Sequence, residues 1–434
     1  MIRLTLEEVR ALAPGELEAR ADEITGVQID SRRCRPGDLF VAVGAGADFR
    51  ADALERGAAA ALLPDDPHQA LAALARTVCD RSSAKVVAIT GSTGKTSTKD
   101  ILAALCRPVA RTVAAEGGHN NEIGLPLTLL RIEPETEAVV AEMGMRGLGQ
   151  ISELAAIARP HVGVVTGVGP VHLELVGTVS RVAEAKAEVV AALPAGGTAV
   201  VPAAARELDP FLTRDDIELV RFGDGGDVRL AHFEPPSLVA VVGGVRVALD
   251  VPFTARHQAE NTLAALAAYR ALGLPLERAR EGAAEIVFSP WRGDEAELPG
   301  GGLLVNDAYN ANPVSMAAAL RHLRERAAGR RMVAVLGDMA ELGRGASAFH
   351  RAVGTVAADA GVQVLVAIGP LAHGYTLGGS SIPVVRWANT VEEGLAELEA
   401  VLEPGDAILV KASRALGLEA VAEALLTHET KVGT

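Results

Sequence analysis

Lys85-Val86-Val87-Ala88-Ile89-Thr90-Gly91-Ser92-Thr93-Gly94-Lys95-Thr96-Ser97-Thr98 is the stretch around which the chain is organised. Lys85 to Ile89 reads as a buried strand, followed by a glycine turn and a helix that starts near Lys95. Gly91 and Gly94 let the backbone turn tightly and aim its N–H groups at one spot. Lys95 adds a mobile positive charge suited to the outer phosphates of a nucleotide, and the Thr96 hydroxyl can ligate Mg²⁺. The pattern is a short form, G-x-x-G-K-T. The full Walker A pattern places a further glycine at position 89, where Ile89 stands.

Outward from this loop, strands and helices alternate. Strand candidates are Lys85–Ile89, Ala138–Glu142, Val162–Thr166, Thr198–Val201 and Glu218–Phe222, with helices at Thr96–Leu105, Ile151–Ala158 and Ser180–Leu193. Such alternation implies a parallel sheet covered on both faces, with ligands outside the carboxyl ends of its strands. Val239 to Val251, broken by Gly243-Gly244, reads as an appended β-hairpin, and His257 to Leu272 as an Ala- and Leu-rich helix.

Before the loop, residues 1–83 form a small α/β unit. Its strand candidates lie around Asp30-Ser31-Arg32 and Asp38–Val43, and a helix runs from about Ala51 to Gly57 before the apolar run Ala58 to Leu63. Val78 to Ala84 leads into the central unit, 84–298. Alternation starts again in 299–434, with strands at Leu303–Asp307, Met332–Leu336, Val364–Ile368, Val384–Trp387 and Ala407–Lys411. Pro299-Gly300-Gly301-Gly302 reads either as a linker or as a hairpin turn. The expected fold class is α/β in three domains: a small N-terminal α/β domain, a central P-loop ATPase-like, mostly parallel sheet with a hairpin, and a C-terminal Rossmann-like doubly wound domain.

Length and composition agree. A chain of 434 residues suggests about three domains, and 49% hydrophobic content supplies large cores, mostly Ala, Val and Leu because aromatics are 3%. The net charge of −14 with no basic stripe argues against a nucleic-acid partner. Cys34, Cys79 and Cys106 form no CxxC pair, so neither a disulfide framework nor a zinc site is expected. The N-terminus turns acidic before any apolar run, unlike a signal peptide, and no apolar stretch reaches the ~18 residues of a membrane span. A cytoplasmic protein, not membrane-embedded, is expected.

Several polar groups share the strand-end position of the loop. His119-Asn120-Asn121-Glu122-Ile123-Gly124-Leu125-Pro126 is a polar loop, which as Asn-Asn alone also suits a plain turn. Glu142 ends a buried strand, where a carboxylate can hold Mg²⁺. His172 lies just past the strand Val162–Thr166. Lys186, between Glu184 and Glu188, reads as part of an exposed charged helix face. Alternatively, its amine takes up CO₂ to become a carbamate, a carboxylate able to bind a second metal beside Glu142 and His172. Asp307-Ala308-Tyr309-Asn310-Ala311-Asn312-Pro313, Gly337 to Gly343 and Lys411-Ala412-Ser413-Arg414 each follow a strand, where a ligand crevice would lie.

In this order, these motifs closely resemble the Mur ligases, the ATP-dependent amide-bond enzymes of peptidoglycan assembly, over nearly the whole chain. The resemblance is strongest to the member that joins D-alanyl-D-alanine to UDP-N-acetylmuramoyl-tripeptide. It implies ATP binding by Gly91, Ser92, Thr93, Gly94, Lys95, Thr96 and Ser97, with Lys95 on the β/γ-phosphates. Thr96 and Glu142 would bind one Mg²⁺; Glu142, His172 and carbamylated Lys186 a second. Asn121 would position the reacting groups. His257 and Asn261 would contact the adenine, and Arg292 phosphate or ribose. Asp307, Tyr309 and Asn310 would bring the last domain onto the nucleotide. Ser31 and Arg32 would contact the uridine diphosphate end of the substrate. A monomer with these two small-molecule substrates is expected. Gly118, Arg50 and Ala412 depart from residues usual in the family.

Overall fold

Every strand expected in the central section is present, within one residue at each end. The computed structural model describes residues 1–298 and 300–427; Pro299 of the glycine run and residues 428–434 of the last expected domain lie outside the described residues. The central sheet has nine strands. Their order is Val245–Asp250, Ser237–Val242, Val228–Glu234, Glu218–Phe222, Thr198–Pro202, Val162–Val165, Lys85–Thr90, Ala138–Glu142 and Thr112–Ala114. The pairings from Val228–Glu234 to Thr112–Ala114 are parallel; the other two are antiparallel. Ala138–Glu142 is buried at every position, as expected of a strand covered on both faces.

The chain leaves Lys85–Thr90 toward Thr112–Ala114 at one edge, returns through Ala138–Glu142, then places Val162–Val165 on the other side of Lys85–Thr90. The strand order therefore reverses at the strand that carries the phosphate-loop motif. A doubly wound sheet binds its ligand at such a point.

Several elements escaped the sequence reading, among them the strands Gly15–Ala19, Thr112–Ala114 and Asp294–Leu298. Val228–Glu234 pairs with Ser237–Val242, so the hairpin is the end of a three-stranded antiparallel meander. A helix, Pro67–Asp80, fills the stretch left unassigned before the lead-in Val78 to Ala84 and runs into it. Asp66 caps it by accepting from the His68 and Gln69 N–H groups, and Pro67 opens it. Ala70, Leu71, Leu74, Ala75 and Val78 form its buried face.

The N-terminal sheet has four strands, ordered Gly15–Ala19, Ala60–Pro64, Asp38–Val41 and Gly26–Gln28. The last sheet has six, ordered Asp294–Leu298, Gly302–Asn306, Ala407–Lys411, Met332–Gly337, Val364–Ile368 and Val384–Ala388, parallel except for the first. Of the two readings of the glycine run, the strand pairing gives the turn: Leu298 pairs with Gly302, and Gly300 and Gly301 take the left-handed φ values of 86° and 85° that a tight hairpin needs.

By its internal contacts the described chain divides into two units. One holds residues 1–168, 183–254 and 258–287; the other holds 169–182, 255–257 and 288 onward. Among the described residues no helix is long and apolar enough to cross a membrane.

Candidate active site

In the first unit, Gly91 and Gly94 have φ values of 151° and 78°. A Cβ on Gly91 would lie 2.0 Å from Thr166 Oγ1, and one on Gly94 2.3 Å from Asn261 Oδ1, so both positions require glycine. Thr166 braces the loop: its hydroxyl donates to the Thr93 carbonyl, and the Ser92 N–H donates to Gly167 O at 2.9 Å. The helix Lys95–Cys106 starts directly after Gly94, so its unsatisfied N–H groups face the turn. Lys95 Nζ donates to Gly91 O at 2.8 Å, which holds the ammonium against the loop. Thr96 and Ser97 are buried in the first turn. Asn261 Nδ2 donates to Gln258 Oε1 at 2.8 Å and Gln258 Nε2 to Ser97 Oγ at 3.3 Å, so the helix Arg256–Ala271 brings Asn261 beside the phosphate loop.

Glu142 pairs with Ile89 in the neighbouring strand, two residues before Gly91. It is 1% exposed. Its Oε1 accepts from Asn120 Nδ2 at 2.8 Å, while its Oε2 is buried with no hydrogen-bond partner. A buried carboxylate oxygen without a donor fits a hard cation, for which carboxylate and hydroxyl oxygens are the usual ligands. Of the asparagine pair, Asn120 is the one on Glu142. Asn121 turns its Oδ1 onto the N–H groups of Ile123 and Gly124, at 3.3 and 2.9 Å, and so starts the helix Gly124–Leu129. Sequence reasoning had given the chemical role to Asn121 and passed over Asn120.

Lys186 is 1% exposed, which overturns the charged-face reading of its helix. Glu188 instead accepts from the Gly149 and Ser152 N–H groups at 2.6 and 2.9 Å, at the start of the helix Gln150–Ala158. Burial, with Lys95 adding repulsion, holds the Lys186 amine well below its ordinary pKa range. A neutral buried amine is the form that reacts with CO₂. Among the described residues no group of three or more His, Cys, Asp and Glu side chains could hold a metal. In this unit the unpartnered Oε2 of Glu142 is the buried oxygen suited to a cation.

In the second unit the residues expected to meet the nucleotide gather at the ends of the strands Gly302–Asn306 and Ala407–Lys411. Arg292 lies with its guanidinium carbon 3.8 Å from the centre of the Tyr309 ring. The Tyr309 N–H donates to Trp291 O at 3.2 Å. Lys411, which the sequence showed in a strand-end motif without giving it a role, donates from Nζ to Asp307 Oδ2 at 2.6 Å and to Asn310 O at 2.8 Å. Its signal was its place as the last residue of a buried strand. The Asn310 side chain accepts from the Ala311 N–H at 2.9 Å. His257 joins this group, 6.2 Å from the His322 ring centre. Burial chiefly pushes it down to about 4, Asp307 opposing.

His172 also belongs to this unit. It has a left-handed φ of 53°, and its Nδ1 is hydrogen-bonded to Glu341 Oε2.

In the N-terminal sheet's neighbourhood Ser31 is buried and helps lower the Asp52 carboxyl pKa. The exposed Arg32 lies bidentate on Asp30, at 2.9 and 2.8 Å. Arg33 and Arg131 both reach Glu116, at 3.5 and 3.0 Å, tying this region to the loop that leads to Asn120.

Comparison with known proteins agrees with this architecture. A family model described as the Mur ligase middle domain matches residues 89–269, and one described as the Mur ligase, glutamate ligase domain matches 295–414. The chain is 32% identical to the UDP-N-acetylmuramoyl-tripeptide–D-alanyl-D-alanine ligase of Escherichia coli K12, over 99% of this chain and 100% of that one. The crystal structure of MurF from Acinetobacter baumannii superposes with a TM-score of 0.87 at 26% identity, covering 98% of this chain and 99% of that chain. MurF from Thermotoga maritima in complex with ADP gives 0.78 at 29%, covering 92% and 96%. Glycine loop, buried strand-end carboxylate and buried lysine thus stand in a chain that is similar to these ligases from end to end, and the chain belongs to the Mur ligase family.

Proposed function

We propose that the chain is an ATP-dependent amide ligase that joins D-alanyl-D-alanine to UDP-N-acetylmuramoyl-tripeptide in peptidoglycan synthesis. The observation that carries this reading is the end-to-end similarity to a ligase of that name. We further propose that residues 1–83 bind the UDP end of the substrate through Ser31 and Arg32, that 84–298 bind ATP, and that 299–434 serve the nucleotide and the incoming dipeptide. The enzyme acts as a cytoplasmic monomer.

The terminal carboxylate of the tripeptide attacks the γ-phosphorus of ATP, ADP leaves, and an acyl phosphate forms. The amine of D-alanyl-D-alanine then attacks the acyl carbon; the tetrahedral intermediate loses phosphate and the amine its proton. The loop N–H groups and the N-terminus of the helix Lys95–Cys106 hold the phosphates. Lys95 leaves the Gly91 carbonyl to offset the charge of the transferring phosphoryl group. Asn261 and His257 contact the adenine. Arg292, Asp307, Tyr309 and Asn310 grip the rest of the nucleotide, and Asn121 orders the loop beside Glu142. Thr96 and Glu142 would hold one Mg²⁺, and Glu142, His172 and carbamylated Lys186 a second; the ions would supply charge neutralisation at the phosphates. In the carbamate the Lys186 nitrogen bonds to the carbon of CO₂, one C=O π bond opens to an oxyanion, and the nitrogen loses a proton. A ¹³C resonance of a carbamate that appears in ¹³C-bicarbonate and is absent from Lys186→Ala tests that step.

Phosphate release from ATP tests the whole reading, with the UDP-linked tripeptide and D-alanyl-D-alanine supplied together and singly. Release that needs both, with the pentapeptide found by mass, is the expected result. Release with neither would overturn it.

A further inference from the structure

We propose that Lys99 is a positioning residue for the cation site: its ammonium holds the loop 115–121, so that Asn120 engages one oxygen of Glu142 and leaves the other for a cation. This rests on the reading of Glu142 as a cation ligand. Lys99 lies one turn after Lys95 in the helix Lys95–Cys106 and is 2% exposed. A buried ammonium is costly unless it is paired and hydrogen-bonded. The Lys99 Nζ lies 2.8 Å from Asp100 Oδ1 and donates to Gly117 O at 3.2 Å. The carboxylate is its next neighbour in the helix; the carbonyl belongs to a loop 18 positions away. Asp100 balances the charge, and Gly117 is what the charge holds.

The loop takes its shape from such contacts, since 115–121 form neither helix nor strand. It turns at Gly117, which has a left-handed φ of 51°. At its start the Ala115 N–H donates to Val140 O at 3.0 Å, and at its end Asn120 O accepts from the Gly144 N–H at 2.7 Å. On its outer side Glu116 meets Arg33 and Arg131 at 3.5 and 3.0 Å. These three side chains are about half exposed, and ion pairs of that kind hold little. A charge-assisted bond from a buried ammonium is stronger. Lys99 is therefore the firmer tie in the middle of the loop.

The end of the loop is fitted closely around the carboxylate. Asn120 Nδ2 donates to Glu142 Oε1 at 2.8 Å. An added Cβ on Gly144 would lie 2.9 Å from Asn120 Oδ1, and one on Gly124 2.6 Å from His119 Cα. A shift of the loop at Gly117 would thus be carried to the Asn120 amide, and a hydrogen bond weakens steeply when misdirected. Phosphates and cation must be placed together. One rigid helix does both: its N-terminus follows the phosphate loop, and Lys99 in its second turn fixes the loop that carries the donor to Glu142.

The test reads loop and cation separately. Hydrogen exchange of the Gly144 N–H reports how the loop is docked. Mn²⁺ affinity, followed by electron paramagnetic resonance with ADP present, reports the cation. Wild type, Lys99→Met, Asn120→Ala, the double variant and Glu142→Gln are compared, with thermal unfolding to confirm that each is folded. Should Lys99→Met not fold, Lys99→Met with Asp100→Asn takes its place, since it leaves no carboxylate facing a methionine. Lys99→Met should speed Gly144 exchange and weaken Mn²⁺ binding, each about tenfold, while ADP alone binds as in the wild type. The double variant should bind Mn²⁺ no more weakly than Asn120→Ala. Wild-type Gly144 exchange in Lys99→Met overturns the proposal. So does wild-type Mn²⁺ binding in Lys99→Met when Asn120→Ala and Glu142→Gln are impaired, which leaves Glu142 as a ligand. Additive losses in the double variant would show Lys99 acting by another route and overturn it too. If Glu142→Gln binds Mn²⁺ normally, the cation reading of Glu142 falls and the proposal with it.

Discussion

Lys411 is buried on Asp307: Nζ donates to Oδ2 at 2.6 Å and to the Asp307 and Asn310 carbonyls at 3.4 and 2.8 Å. One ammonium thereby closes the turn that carries Asp307, Tyr309 and Asn310. Lys411→Met leaves a largely buried carboxylate and two carbonyls without their donor. A buried pair broken from one side costs about 3 kcal/mol. Denaturant unfolding should show that loss, and the KM for ATP should rise. Adding Asp307→Asn should restore part of the stability but none of the nucleotide affinity. If Lys411→Met unfolds like the wild type, the pair is not what orders the turn.

The phosphate loop makes a second prediction. Gly94→Ala meets two obstacles, a φ of 78° and the Asn261 amide 2.3 Å from the new methyl. Asn261 does not swing away cheaply, because Gln258 holds it. ATP affinity should fall about tenfold or more, as a left-handed non-glycine residue costs on the order of 1–3 kcal/mol. Asn261→Ala relieves only the contact, so the double variant should stay impaired. Full ATP binding by Gly94→Ala, measured by calorimetry, would show that the loop relaxes freely.

What could be read from the sequence divides along physical lines. Buried parallel strands announce themselves because both faces are covered: Ala138–Glu142 and Ala407–Lys411 were placed to the residue. Val228–Glu234 was missed because it mixes polar and apolar residues and is only partly buried. The glycine loop was legible because its chemistry lies in the backbone and is local. The partners of side chains were not. Nothing local tells Asn120 from Asn121, or says that Glu341 lies on a histidine 169 positions away. Lys186 read as surface because its neighbours Glu184 and Glu188 are charged. Its burial is set by how the helix packs: Val182, Ala183, Ala185, Ala187, Val189 and Val190 are buried around it.

The asparagine pair can be told apart by experiment. Asn121→Ala removes the acceptor for the Ile123 and Gly124 N–H groups at the entry to the helix Gly124–Leu129 and should cost about 1 kcal/mol. Asn120→Ala takes the donor from Glu142 Oε1 and leaves a buried carboxylate unsupported. That should move the Mg²⁺ dependence of phosphate release to higher concentration. Asn121→Ala should lower stability with Mg²⁺ dependence unchanged. The reverse pattern would return the chemical role to Asn121.

His257 predicts a pH effect. Its pKa is pushed down to about 4 by burial, with His322, Lys411 and Arg321 adding repulsion and Asp307 opposing. The folded value lies below the ordinary 6.5. Between the two the unfolded chain binds more protons, so stability is complete above about 6.5 and is lost as the pH falls toward 4. His257→Gln removes this contribution. The melting temperature of the wild type should drop more steeply from pH 7 to pH 5 than that of the variant. Parallel slopes would mean that His257 takes up its proton in the folded state as readily as in the unfolded one.

Lys186 separates function from stability most cleanly. A buried amine held neutral gives little to the fold, since its charge is suppressed by burial and by Lys95. Methionine has a similar length and no polar atom to satisfy. Lys186→Met should therefore melt at the wild-type temperature or higher, a gain of up to about 1 kcal/mol. Amide synthesis should nevertheless be lost, because methionine cannot form a carbamate and offers no oxygen to a cation. A variant that is both less stable and inactive would show only that the side chain packs well. A stable variant with full activity would remove the carbamate from the site, and Glu142 would then be left to hold the cation without it.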